Sequence, residues 1–235
     1  MIALPPLTPA RSADVSHLLD RVHHCDALDL LRALPDASVD SVISDPPYGA
    51  QIAAWDMDIP PQAILTECLR VSRGPVVWFG GRVTSDIAKV MDYEPIPVRI
   101  LIWHVTFSTI AFAASGMFYR WHPIYCWRLP EQRVIARDII EFPQTGKDNW
   151  WHHPGTKPLA LMDLLVRAFG GDLILDPFAG SGTTLLAAKR LKRHYIGGDI
   201  SAEYVAIAQS RLSDLPRDKQ TGDMVQRALF TETAS

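Results

Sequence analysis

The sequence predicts an α/β fold: a doubly wound, mostly parallel sheet with helices on both faces. Three observations carry this. Short β-branched runs ("SVDSVIS", "GPVVWFG", "DLILD", "HYIGGD") alternate with helical stretches over most of the chain, the pattern of repeated strand–helix–strand units. "LILDPFAGSGTT" passes from an apolar strand through a glycine turn into a helix, the kind of connection at which such sheets bind ligands. Finally, 235 residues with 48% hydrophobic and 21% charged side chains suffice for one large folded core.

In chain order, the first dozen residues read as an unstructured lead-in. "RVHHC" reads as a strand and "DALDLLRAL" as a helix closed by Pro35. "SVDSVIS" is a strand ending at Asp45, and after a Pro-bounded loop a helix runs from about Gln62 to Val71. The strand "GPVVWFG", the helix "TSDIAKVM" and the strands "PVRILIWHV" and "HPIYCWRL" follow. "TFSTIAFAASGMFYR" has no clear period and reads as a loop or active-site lid. The segment Glu131 to His153 is mixed in charge, carries Pro143 and Gly146, and reads as loop. Order then returns with the helix "PLALMDLLVRAF", the strand "DLILD", the glycine turn, the helix "LLAAKRL", the strand "HYIGGD" and the helix "SAEYVAIAQSRL". The domain is expected to span 1–213, with 214–235 as a C-terminal tail.

Composition excludes several classes. No apolar run approaches the length of a membrane span, and Pro breaks the opening "MIALPPLTPARSAD" too early for a secretory signal. Cys25, Cys68 and Cys126 are far apart, which suits a reducing cytoplasm and no metal. His152 and His153 lack companions at ligand spacing. With a net charge of −3, any contact with nucleic acid needs a local patch: "KRLKRH" (Lys189 to His194) or the stretch from Arg120 to Arg137. A solvated helix end with cations at its negative pole explains "KRLKRH" more simply.

The glycine turn narrows the ligand. Gly180 and Gly182 allow a tight turn and a close approach, and Ser181, Thr183 and Thr184 open a helix whose free N–H groups favour an anion. The Lys of a phosphate-binding P-loop is absent, and Leu185 stands where a dinucleotide site places its third glycine. Asp199, 23 residues beyond Asp176, sits where a ribose diol is held. A nucleoside with a carboxylate and no phosphates fits, and S-adenosylmethionine is such a molecule.

At this point the sequence resembles the S-adenosylmethionine-dependent amino methyltransferases of DNA, whose hallmark is D/N/S-P-P-Y/F/W. "DPPYG" (Asp45 to Gly49) is similar to the catalytic motif, "DPFAGSGTT" (Asp176 to Thr184) to the cofactor loop, and "HPGTKP" (His153 to Pro158) to the segment near the cofactor's methionine end. "GDIS" supplies the ribose acid Asp199, and Asp26 matches the acid that contacts adenine. The resemblance implies a circularly permuted, seven-stranded-type, Rossmann-like methyltransferase fold, because the catalytic motif precedes the cofactor loop as in the group called beta. It implies Asp45, Pro46, Pro47 and Tyr48 as catalytic residues. The implied cofactor set is Asp26, Ala27, Asp45, Thr156, Lys157, Asp176, Pro177, Phe178, Ala179, Gly180, Ser181, Gly182, Thr183, Asp199 and Ile200.

The tetrapeptide has a chemistry of its own. An exocyclic amino nitrogen is a poor nucleophile because its lone pair is delocalised into the ring. Asp45 and the Pro46 carbonyl, accepting its N–H bonds, favour a more tetrahedral nitrogen, and prolines fix the carbonyl's direction. Tyr48 offers a face on which an extruded base stacks. Asp in the first position resembles the adenine-specific members. N4-cytosine, RNA, or a catalytically silent DNA-binding module remain alternatives. The resemblance further implies a cytoplasmic, nucleoid-associated protein of bacterial or phage-like type, DNA as partner, and a link to restriction-modification. Only Leu129 to His152 fill the place of a target-recognition region, so a homodimer is one way to complete the DNA surface. "QRALF" (Gln226 to Phe230) resembles peptides that dock on bacterial sliding clamps.

Overall fold

A computed structural model of the protein describes residues 14–47, 61–81, 84–108, 120–130, 137–144 and 156–214. After a short 3-10 turn, Ser16–Leu18, the elements are β1 (Arg21–His24), α1 (Ala27–Ala33), β2 (Ser41–Ser44), α2 (Pro61–Val71), β3 (Val76–Phe79) and α3 (Thr84–Met91). β4 (Arg99–Ser108), β5 (Trp121–Trp127), β6 (Ile139–Gln144), α4 (Leu159–Phe169), β7 (Leu173–Asp176), α5 (Thr183–Arg190), β8 (His194–Asp199) and α6 (Ala202–Ser213) complete it.

The strands form one sheet in the order β1-β8-β7-β2-β3-β5-β4-β6. Its first five members run parallel. β5 is antiparallel to both β3 and β4, and β6 lies parallel to β4 at the edge. β2, β3 and β7 are buried at every position, as central strands covered on both faces must be. One face carries α4, α5 and α6 over a core that includes Trp103, Ile140 and Phe142. The other carries α1 and α2 over Leu31, Leu65, Trp78 and Trp127. This is the doubly wound arrangement expected.

Two expectations need correction. The segment read as loop from Glu131 to His153 contains β6. Ile140 and Phe142 are buried while Ile139 and Glu141 are exposed, an alternation that a strand requires. Pro143 is tolerated there because β6 is an edge strand, and this strand brings the sheet to eight strands among the described residues. The stretch read as a lid from Thr106 begins inside β4, which continues to Ser108; 109–119 lie outside the described residues. Within the Arg120-to-Arg137 stretch, Arg120 stands just before β5, and Arg128 just after it donates to the Ser72 carbonyl at 2.6 Å; 131–136 lie outside the described residues.

The winding reverses at one place. β7 leads through α5 to β8 on one side, and β2 leads through α2 to β3 on the other. Between β7 and β2 the two crossovers part, leaving a crevice at the carboxyl ends of the strands, where open α/β sheets bind ligands.

Candidate active site

β2 is fully buried through Ser44, and Asp45, Pro46 and Pro47 emerge half-buried at its carboxyl end. Its neighbour β7 ends in Asp176, which is 2% exposed. The Ser44 hydroxyl donates to Asp176 Oδ1 at 2.6 Å, and the Phe178 N–H donates to the same oxygen at 3.1 Å. Burial pushes the Asp176 carboxyl up to about 6. Hydrogen bonds from Ser44, Thr184 and Phe178 hold it down, and the nearby Asp45 charge adds to the rise. Asp45 is ion-paired with Lys157, whose ammonium also lies 4.9 Å from the centre of the Phe79 ring at the end of β3.

The glycine turn follows β7. Gly180 and Gly182 take φ of 50° and 79°, values that side-chain-bearing residues resist. Gly182 is the N-cap of α5, and a Cβ there would stand 2.8 Å from the Cβ of Ala208. The turn is tied to β8: the Ala179 N–H donates to the Gly198 carbonyl and the Gly180 N–H to Asp199 Oδ2, both at 2.8 Å. Ser201 N–H holds the other oxygen of Asp199 at 2.8 Å. Leu185 is fully buried, and the room for it is made on β8, where a Cβ on Gly197 would lie 2.3 Å from its Cδ1.

At the far rim, His24 pairs with Asp199 in register and the Cys25 N–H donates to the Asp199 carbonyl. This brings Asp26 and Ala27 beside Asp199 and the exposed Ile200. Asp26 itself caps α1, accepting from the Leu28 N–H at 2.8 Å. Thus Asp26, Asp199, Asp176 and Asp45 line the carboxyl ends of neighbouring parallel strands. Thr156, buried before α4, has its hydroxyl 3.4 Å from that of Ser181. Tyr48, Gly49 and His153 to Gly155 lie outside the described residues, as do His152, the "QRALF" segment and the tail.

Some contributors were missed in the sequence. Arg211 of α6 reaches back to the Ser181 hydroxyl at 2.8 Å and the Thr183 hydroxyl at 3.1 Å, so two hydroxyls assigned to the cofactor also anchor the turn. Ser44 orients Asp176, and Phe79 supports Lys157. An unexplained Arg on the inner side of "SAEYVAIAQSRL" was the available signal. The "KRLKRH" cations, by contrast, serve the fold at the amino end of β8. Lys189 donates to the Leu212 carbonyl at 2.7 Å, Arg190 pairs with Asp163 at 3.4 Å, and Arg193 donates to the Val166 carbonyl. Trp103 is fully buried, donates to the Phe142 carbonyl at 3.0 Å and stacks on His122, so it is core. Among the described residues no cluster of metal-binding side chains occurs, and no helix is long and apolar enough to cross a membrane.

The donor set suits S-adenosylmethionine. A buried carboxylate held at a raised pKa beside a second one is stabilised by a cationic ligand, and this ligand carries a sulfonium and an ammonium. Exposed Asp26 and half-buried Asp199 offer carboxylate oxygens, the kind of acceptor that adenine and ribose donors require. The helix N-terminus at Gly182 and the Lys157 ammonium complement a carboxylate.

The sequence pattern of the DNA methylase family matches residues 39–210 of this chain. The type II methyltransferase M.HpaI of Haemophilus parainfluenzae is 27% identical over 227 residues, covering 80% of this chain and 72% of that protein. TTHA0409 of Thermus thermophilus is 25% identical with a TM-score of 0.63, over 84% of this chain and 97% of that one; it has also been solved with S-adenosyl-L-methionine. PvuII DNA methyltransferase, described as cytosine-N4-specific, shares the fold at a TM-score of 0.62 and 18% identity, over 88% and 92% of the two chains.

Proposed function

This chain belongs to the DNA methylase family, the S-adenosylmethionine-dependent N6/N4 amino methyltransferases, and from that premise we propose that it methylates N6 of adenine in DNA. One observation carries the reading: Asp45 and Pro46 leave a fully buried strand at the crevice that the glycine turn and Asp176 close from the other side. Asp45 and the Pro46 carbonyl accept the two N–H bonds of the target amino group and direct its lone pair outward. The rigid backbone of Pro46 and Pro47 sets that direction in advance. Tyr48 stacks on the extruded base, since the nitrogen is out of reach inside a duplex. Bound in the crevice, S-adenosylmethionine supplies a sulfonium methyl, transferred to nitrogen with loss of the thioether and of one amino proton. Asp26 and Asp199 hold its nucleoside end, and Thr156, Ser181 and the amino end of α5 its methionine end. Preference for adenine rests on Asp in the first motif position.

The test is transfer of labelled methyl from S-adenosylmethionine to DNA and to RNA, with the modified nucleosides identified. N6-methyladenine in DNA is expected. N4-methylcytosine would overturn the base assignment, methylation of RNA alone would overturn the polymer, and silence on both would favour a DNA-binding module without catalysis.

A further inference from the structure

We propose that Lys157 is a positioning residue for the transfer, fixing the orientation of the Asp45 carboxylate rather than serving mainly the cofactor's carboxylate. The inference rests on the methyl-transfer reading of the site. The Lys157 ammonium is paired with Asp45 Oδ2 across 112 residues of sequence, and the aromatic face of Phe79 lies on its other side. The Lys157 side chain is 13% exposed and that of Asp45 is 32% exposed, so water screens the pair little on the lysine side. Thr156 anchors this segment to the glycine turn through Ser181, which Arg211 holds in turn.

The neighbourhood gives the contact its work. Asp45 and Asp176 end adjacent strands, and the Asp45 charge adds to the rise of the buried Asp176 carboxyl. Among the described residues, Asp176 from β7 and Lys157 from the approach to α4 bring charge to Asp45, while β3 contributes the uncharged Phe79 ring. Without the ammonium, two carboxylates would share one crevice with no opposite charge from this segment. The carboxylate plane would then be free to turn away from an amino N–H that it must accept. By occupying Oδ2, Lys157 also fixes which way the carboxylate plane faces. A group that only bound cofactor would be felt in cofactor affinity instead.

The test compares the wild type with Lys157→Met and Lys157→Arg. Lys157→Gln replaces the methionine variant if that one does not melt cooperatively. In Lys157→Met, kcat is expected to fall by about tenfold or more, as for loss of one preorganised group. S-adenosylhomocysteine affinity should change little. Lys157→Arg should recover most of the lost kcat. A methionine variant that keeps kcat but loses S-adenosylhomocysteine affinity would overturn the proposal and assign Lys157 to the cofactor. A wild type that methylates no nucleic acid would instead overturn the methyl-transfer reading, and the catalytic role of Lys157 with it.

Discussion

Asp45 stands where a four-residue buried strand gives out and two prolines follow. Its usefulness comes from that placement. The strand cannot shift without breaking the parallel ladders to β3 and β7, so the carboxylate is held by the sheet itself. A substitution that removes the carboxyl should leave the ladder intact. Asp45→Ala is expected to abolish detectable transfer while S-adenosylhomocysteine still binds and the melting temperature moves little. Measured single-turnover rates beside calorimetric binding make the comparison, and near-normal turnover in that variant would remove Asp45 from the chemistry. Asp199 carries the opposite kind of placement. Both its oxygens are bound by backbone N–H groups of the turn and of the α6 approach, so it builds the glycine turn itself.

Among the elements, β6 distinguishes what a sequence displays from what it conceals. The central parallel strands are legible because burial on both faces demands continuous apolar runs such as "LILD" and "VVWF". β6 satisfies only one face and one neighbour, so "IIEFPQ" mixes Glu141 and Pro143 with apolar residues and imitates a loop. The site divides the same way. Asp45, Asp176, Asp199 and the glycines mark strand exits and were readable. Ser44 to Asp176 spans 132 residues and Arg211 to Ser181 spans 30, and no local pattern announces either contact. The strand assignment makes a contrast that a loop would not. Phe142→Ala, at a fully buried position, should cost about 3–5 kcal/mol. Ile139→Ala, at a position 55% exposed, should stay within about 0.5 kcal/mol. Denaturant midpoints decide it, and equal small losses at both positions would argue that β6 does not contribute to the core.

For the whole molecule, the most consequential group is Asp176, because folding buries it and the methyl donor of this family is a cation. Its carboxyl sits at about 6 in the folded protein, raised first by burial, against about 3.9 in an unfolded chain. The folded state therefore binds the proton more tightly. Between about pH 4 and 6 the unfolded chain ionises first, so this group's contribution to stability falls as pH rises through that window and levels off above it. A displacement of about two units corresponds to about 3 kcal/mol at most. Asp176→Asn retains an acceptor for the Ser44 hydroxyl and the Phe178 N–H while removing the titration. Unfolding free energies measured from pH 4 to 8 should accordingly show the wild type losing ground to the variant as pH rises. Binding inverts the sign. The cationic methyl donor favours the ionised carboxyl, so its affinity for the wild type should tighten as pH rises through 6 and stay flat in Asp176→Asn. Parallel stability curves for the two proteins across the window would show that Asp176 titrates as an ordinary carboxylate. The cost of burying it would then have to be met by hydrogen bonds alone, and the crevice would hold its negative charge whether or not a cation is bound.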